Sequence, residues 1–582
     1  MSRRSCLIPN YLGRIACSTR FIDFILVALL TVVVLRYAQP IPDEDAYISF
    51  VFSKSLLLGE GLSYLGARIE GFTNPLTVLL TVFFTFLTGF EVAQVGFVLS
   101  ILFTVLTINL LLELIPFSIA SATGLSLRIF IFAIVFINPI ILTWGFSGME
   151  NSLFSAVWLL ALISASKQRV LATCILLSIL PIIRSDALPI TILTAIIVSS
   201  RLQLRSLNQK QLLSYCAILV LPALSYLVFR LTYFGELLPN TATKKFLERD
   251  SFHRIYEGVV YVLNYSLYSK SPIILVLMLA YLGISRIKLS HFVNTAVLFF
   301  SSLLFVAYLG GDVSWKGAYR FCFASEILAI AAMILFLSDS RANIRVISIL
   351  GILLLKLVVW PVGQLSDGIN YSTRLYSNLV IREPWSQLDF NFKSPRDFLD
   401  LLVPRDDVLT VTGRYLNQCK APKSTTLITS AAGKVAYQAE MPTIDMTQLA
   451  ATPASIQHYL NNRSAAELFV FEHHFGRKWY FDQWKLLDEV ELQAVFYSGR
   501  FYSGMPVLVF AKDELSCPKL VLADYNFIGV PVEVSNRRFL LFTDNMFSQA
   551  EFLTSVEQFD YFSTSDPIEG ESLLSLGDYS VK

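Results

Sequence analysis

"IPDEDAYISFVFSKSLLLGEGLSYLGARIEGFTNPL", Ile41 to Leu76, opens with Asp43, Glu44 and Asp45 in consecutive positions, directly after an apolar run that reads as a membrane-spanning helix. Three adjacent carboxylates at a membrane edge repel one another and raise each other's pKa, so their placement calls for a reason. The same stretch carries Lys54, Arg68, Glu70 and Asn74 before the chain turns apolar again at Pro75. What lies on either side decides what kind of chain this is.

The 582 residues are 54% hydrophobic and only 15% charged, with a mean hydropathy of +0.59. Soluble domains carry about 25% charged residues, so water does not solvate most of this chain. Apolar runs of roughly 17–25 residues, the length that spans a bilayer, recur from Phe21 to about Pro361 and then stop. The first, Phe21 to Ala38, follows Arg3, Arg4, Arg14 and Arg20 and lacks a small-x-small cleavage site, which makes it a retained anchor helix. A net charge of +2 without a basic, aromatic-interleaved stripe argues against nucleic acid.

Lys and Arg collect in short cytoplasmic loops. Basic loops occur at Lys167/Arg169, Arg201/Arg205/Lys210, Arg286/Lys288 and Arg341/Arg345. They alternate with mixed-charge loops around Ser147–Glu150, Arg184–Asp186, Gly235–Glu257 and Gly310–Arg320. The alternation predicts a cytoplasmic N-terminus and puts the mixed loops, the Asp43–Asn74 loop and everything after Pro361 outside. Between Pro75 and Trp144 three runs are visible, Pro75–Phe90, Val95–Ile115 and Arg128–Trp144, although loops on one side require an even number of crossings. One run is therefore re-entrant, lies along the membrane or crosses twice, and the total comes to about eleven spans.

Beyond residue 362 the composition changes. "TTLITS", "ELFVFEHH", "LQAVFYSG" and "PVLVFAK" are short, β-branched or aromatic and bounded by turn residues, as strands are. The expected architecture is a polytopic α-helical membrane domain, residues 1–362, followed by a soluble exoplasmic α/β or mainly β domain, residues 363–582. Of the seven cysteines only Cys419 and Cys517 lie in this tail, where a disulfide could form; no zinc spacing is present. His473 and His474 read as a solvated pair.

Ionisable groups at membrane depth need partners and are functional candidates by default. The outside loops supply a set: the carboxylate cluster with Lys54, Arg68, Glu70 and Asn74; Glu150 in "WGFSGMEN"; Arg184 and Asp186 in "PIIRSDALP"; Asn240, Lys244 and Lys245 in "YFGELLPNTATKK"; Asp312, Lys316 and Arg320 in "GGDVSWKGAYRF". Each has a plainer reading. Arg184 and Asp186 can neutralise each other at a helix end. Glu150 suits a helix N-terminus, Lys244 and Lys245 suit lipid headgroups, and the glycines at 59, 61 and 66 suit turns. The plain readings leave unexplained why five loops put such groups on one face. Transfer of a sugar from a lipid phosphate uses that arrangement: cations stabilise the leaving phosphate, and a carboxylate with a raised pKa takes the acceptor's proton. A transporter would show repeats and broken helices near the midplane; no repeat is found. A membrane-anchored assembly protein would need one span and no carboxylate cluster.

The first-loop stretch resembles the first exoplasmic loop of a family of GT-C glycosyltransferases that includes terminal arabinofuranosyltransferases of the mycobacterial cell wall and type IV pilin arabinosyltransferases. The resemblance continues through "SGMEN", "RSDALP", "YFGELLPNTATKK", "GGDVSWKGAYRF" and, in the tail, "AAGKVAYQAEMPTIDMTQL". It implies a GT-C-like membrane domain in the bacterial inner membrane with a periplasmic tail. It further implies a polyprenyl-phosphate sugar donor and a glycan or glycoprotein acceptor such as a pilin; no cofactor is certain, a divalent cation stays open, and no metal site is assigned. By the same resemblance Asp45 is the general base with Glu44 its partner, and Arg68, Lys244 and Arg320 bind phosphate. Lys54, Glu70, Asn74, Glu150, Arg184, Asp186, Asn240 and Asp312 complete the implied substrate site. The chain departs from the family where Glu44-Asp45 replaces an Asp-Asp pair, Val51 replaces an arginine, Lys54 replaces a second arginine, and Ser185 replaces a proline. Donors of mannose or aminoarabinose type stay open as alternatives.

Overall fold

The computed structural model of the chain describes residues 8–357 apart from 38–39, 41, 66–67, 137, 201, 203–207, 244–250, 286–289 and 312–318. Beyond these it describes residues 401–404, 408–418, 426–429, 432–445, 450, 467–471, 507–511, 527–534 and 537–544. Lys244, Lys245, Asp312, Lys316, Cys419, Cys517, His473, His474 and the segment 492–499 therefore lie outside the described residues. The fold is mostly helical. It divides into two compact units, Met1–Pro42 with Thr73–Leu237 and Lys245–Pro404, and Asp43–Phe72 with Leu238–Lys244 and Arg405–Lys582. The first loop, Asp43–Phe72, thus belongs to the same unit as the chain from Arg405 onward.

In chain order the helices are α1 (Ile8–Tyr37), α2 (Glu44–Leu57), α3 (Pro75–Thr88), α4 (Val92–Glu113), α5 (Ala122–Phe136), α6 (Pro139–Trp144), α7 (Asn151–Ser166), α8 (Val170–Ile183), α9 (Leu188–Ser199) and α10 (Gln209–Tyr233). There follow α11 (Asn240–Ala242), α12 (Ser251–Ser269), α13 (Ser271–Ser285), α14 (Ser290–Leu309), α15 (Phe323–Asp339), α16 (Ala342–Leu357), α17 (Val408–Gln418) and α18 (Lys434–Ala439). Among the described residues four helical stretches are long and apolar enough to cross a membrane: Val92–Glu113, Gln209–Tyr233, Ser290–Leu309 and Arg320–Asp339. The pair α12 and α13 passes together but is bent by 77°, and five shorter apolar helices accompany them. The run read as Arg128–Trp144 is two helices, α5 and α6. Asn138 sits in extended backbone before Pro139 and accepts from Ile140 N at 3.1 Å, starting α6 afresh; the residue before a proline is pushed out of helical backbone.

In the first unit, buried Trp144, Trp158, Phe130, Phe292 and Phe299 form the core around α15, which is buried along most of its length. Small hydroxyl residues bring helices close, as membrane helices do where no water competes. Thr107 Oγ1 donates to Ser152 O at 3.2 Å and Ser152 Oγ to Ser100 O at 3.2 Å, joining α4 to α7. Gly258 on α12 leaves no room for a side chain: a Cβ there would lie 1.9 Å from the Ala307 carbonyl oxygen of α14. A buried ion pair absent from the sequence reading ties α1 to α5, Arg128 Nε donating to Asp23 Oδ1 at 2.7 Å and Nη2 to Oδ2 at 3.1 Å. Arg20 (3.1 Å) and Lys167 (2.5 Å), from two of the basic segments, meet on Glu113.

Among the described residues of the second unit six strands form one sheet, ordered β2-β1-β3-β4-β6-β5. They are β1 (Thr426–Thr429), β2 (Thr443–Asp445), β3 (Glu467–Phe471), β4 (Val507–Ala511), β5 (Phe527–Val534) and β6 (Arg537–Asp544). β1 runs parallel to both β2 and β3, pairing Leu427 with Thr443 and with Leu468. The remaining pairs are antiparallel. α18 connects β1 to β2, the βαβ connection a parallel pair requires.

Candidate functional site

The candidate residues fall into two constellations, one in each unit. In the first unit the chain enters α3 through Asn74 and Pro75, the proline at a position where its missing N–H costs nothing. Asn74 Nδ2 donates to Glu150 Oε2 at 2.9 Å. Glu150 stands at the N-cap position of α7 but makes no side-chain capping bond there. Its carboxylate instead lies between Asn74 and Arg184, whose Nη1 is 3.9 Å from Oε1. The plain reading of Glu150 as a helix-end acid thus describes its place, while its side chain serves a network.

Arg184 ends α8 in extended backbone, three residues after Pro181. Its guanidinium grips Asp186 in a two-bond fork, Nε to Oδ1 at 3.1 Å and Nη2 to Oδ2 at 2.8 Å, and Nη1 donates to Asn151 Oδ1 at 3.2 Å. Burial works against its charge; Asp186 and Glu150 outweigh that, and its pKa is raised although Arg320 opposes. Ser185 N donates to Thr73 O at 2.9 Å, pinning this loop to the residue before Asn74. Arg230, which was not among the candidates, donates to Ser185 Oγ at 3.0 Å and to Leu237 O at 3.2 Å. Its charge within the apolar run of α10 was the available signal.

Arg320 is buried between ring faces. Its guanidinium carbon lies 5.8 Å from the Trp144 ring and 5.1 Å from that of Phe321. Arg184 approaches Phe321 at 5.3 Å, so two guanidinium groups share one aromatic ring. Asn151 is buried, and its Nδ2 has no hydrogen-bond partner among the described residues. Asn74, Glu150, Arg184, Asp186 and Arg320, separated by up to 246 positions in sequence, are thereby brought to one place.

In the second unit Asp43 is the N-cap of α2, its Oδ1 accepting from Asp45 N at 3.0 Å. The two carboxylate oxygens of Glu44, which the resemblance pairs with Asp45, accept from the backbone amides of Gly433 (2.5 Å) and Lys434 (2.8 Å). These amides open α18 just beyond a parallel strand, where free N–H groups favour an anion, and the chain's own carboxylate fills the place. Asp45 is half-buried in the first turn of α2. Further along α2, Lys54 pairs with Glu440 and lies 4.8 Å from the Tyr437 ring centre. Tyr47 meets Tyr437 edge-on at 5.3 Å.

Tyr64 is buried and donates to Ala432 O at 2.6 Å. Burial, then the charges of Asp445 and Glu44, push its hydroxyl well above the ordinary tyrosine range. Glu70 is buried, and its carbonyl accepts from Asn240 N at 3.0 Å, joining two more of the candidate loops. Arg68 is exposed. Nothing local to "EDAYISF" or "AAGKVAYQAE" signals that the two segments touch. Among the described residues no group of three or more His, Cys, Asp or Glu is placed to hold a metal ion.

No family model matches the chain, and no curated protein matches it. Among solved structures it is similar to ArnT from Cupriavidus metallidurans bound to undecaprenyl phosphate, at 12% identity, covering 84% of this chain and 98% of that one with a TM-score of 0.46.

Proposed function

We propose that the chain is a membrane glycosyltransferase that moves a sugar from a polyprenyl-phosphate donor to a hydroxyl of a glycan or glycoprotein. The observation that carries this reading is the gathering of Asn74, Glu150, Arg184, Asp186 and Arg320 within an apolar helical unit. Buried charge costs several kcal/mol per ion when unpaired, and a chain that assembles it from separate loops of a lipid-facing unit is equipped to hold a lipid's charged head. Arg184 is committed to Asp186 and Glu150 and acts as scaffold. Arg320, held on aromatic faces, is assigned to the phosphate.

In the reaction the acceptor oxygen attacks the anomeric carbon and the bond from that carbon to the phosphate oxygen breaks. The bonding pair leaves with the polyprenyl phosphate, and the acceptor's proton passes to a carboxylate. Of the first-loop acids Asp43 caps a helix and Glu44 clamps the tail; the resemblance of the first loop supports Asp45 as the base. One carboxylate is sufficient for a single inverting displacement. The resemblance of the first loop supports arabinofuranose as the sugar, the lipid phosphate as donor, and an exoplasmic site with Arg68 and Lys244 as further phosphate ligands.

The test is transfer by purified protein from synthetic polyprenyl-phosphate sugars, arabinofuranose first and then mannose and aminoarabinose, with Arg320→Ala beside wild type. Transfer from at least one donor, with its half-saturating concentration raised about tenfold or more in Arg320→Ala as expected for losing a charge-assisted contact, supports the reading. Absence of transfer from all of them, or an unchanged donor response in the variant, contradicts it.

A further inference from the structure

Glu326, on α15, is fully buried and ringed by donors. Its Oε1 accepts from Asn138 Nδ2 (2.6 Å), Ser271 Oγ (2.9 Å) and Lys356 Nζ (2.7 Å), and its Oε2 from the Tyr265 hydroxyl (2.6 Å) and Ser269 Oγ (2.6 Å). Lys356 Nζ also donates to Ser271 Oγ at 2.7 Å. One carboxylate thus holds the start of α6, both sides of the bend between α12 and α13, and the end of α16. A buried ion pair is weak support for stability alone, since two apolar residues of the same volume often serve as well. So complete a set of donors calls for another explanation.

The tyrosine in this set leads to the site. The ring of Tyr265 packs at 5.9 Å on Tyr319, which also meets Tyr261 at 5.3 Å and Tyr268 at 5.2 Å. Tyr319 has φ +53°, ψ +57°, a left-handed backbone that a bulky residue adopts only where its surroundings force it. The tyrosine rings of α12 supply that constraint, and the Tyr261 hydroxyl accepts from Phe321 N at 3.3 Å. The residue that follows Tyr319 is Arg320. A relaxed backbone at Tyr319 would re-aim the guanidinium away from Trp144 and Phe321.

We infer that Glu326 is a positioning residue for Arg320, acting through Tyr265 and the constrained backbone of Tyr319. The inference rests on the reading of Arg320 as the donor-phosphate cation, but its structural half stands apart from that reading. Two readouts on full-length protein in detergent separate them: amide hydrogen exchange over residues 319–323, and binding of undecaprenyl phosphate. Tyr265→Phe keeps the ring and removes only the hydroxyl; Glu326→Gln keeps the shape and removes the charge. Both should speed exchange at 319–323. Tyr265→Phe should weaken undecaprenyl phosphate binding about three- to tenfold and add nothing further to Arg320→Ala, as coupled residues do. Were Glu326→Gln to fail to accumulate, Tyr265→Phe carries the test alone. Unchanged exchange at 319–323 in Tyr265→Phe, or losses that add to those of Arg320→Ala, overturns the inference. Faster exchange with no effect of Arg320→Ala on binding supports the positioning of the segment while contradicting the phosphate role.

Discussion

The carboxylate of Glu44 closes on the backbone amide of Gly433 at 2.5 Å, across 389 positions of sequence. Only glycine fits at this point, since a Cβ on residue 433 would lie 2.0 Å from the Glu44 carbonyl oxygen. Gly433→Ala therefore forces the two segments apart and breaks both hydrogen bonds that the amides of Gly433 and Lys434 donate to the carboxylate. Overpacking of this kind costs about 1–3 kcal/mol. The variant should expose the 405–445 region to limited proteolysis at protease levels that leave wild type intact, and wild-type resistance would show that this clamp carries no weight.

Tyr64 makes the second unit sensitive to alkali in a defined direction. Its folded pKa lies above the unfolded value of about 10, through burial first and then Asp445 and Glu44. Stabilisation by the neutral hydroxyl is therefore complete below about pH 10 and is lost as pH rises through the folded value. Removing the hydroxyl leaves the Ala432 carbonyl without this donor, a cost of about 1–3 kcal/mol. The stability difference between wild type and Tyr64→Phe should be flat from neutral pH to about pH 10 and shrink above it. Unfolding curves across that range check this; a difference that shrinks already between pH 7 and 9 would mean another group sets it.

Asp23 and Arg128 form a pair closed to water, each side chain less than a tenth exposed. Removing one partner strands the other's charge, which costs about 3–5 kcal/mol, while replacing both with apolar residues is close to neutral. Asp23→Ala should sharply reduce the folded yield in membranes, and Asp23→Leu/Arg128→Met should recover it. Failure of the double variant to recover would show that the pair does more than neutralise itself.

Much of this framework was readable from residues. The apolar runs mark α3 and α4 within a few positions, and β1, β3 and β4 coincide with three of the four quoted strand segments. Asn74, Glu150, Arg184 and Arg320, from four of the singled-out loops, lie together within the first unit. Pairings at long range were not readable, because nothing local to Glu44 names Gly433 and nothing local to Glu326 names Lys356. Two signals were available. Asn138-Pro139 is a dipeptide that favours a new helix start, and it splits a run read as one. Asp23 in an apolar run required a buried cation, which Arg128 supplies.

The central claim is that Asp45 takes the acceptor's proton while its two acidic neighbours hold the structure. Its direct test is the turnover of Asp45→Asn, a change that keeps the shape and removes the basicity. Turnover should fall about 10²- to 10⁴-fold, with undecaprenyl phosphate binding and proteolytic resistance at wild-type levels, whereas Glu44→Gln should lose proteolytic resistance. Full turnover by Asp45→Asn would contradict the account.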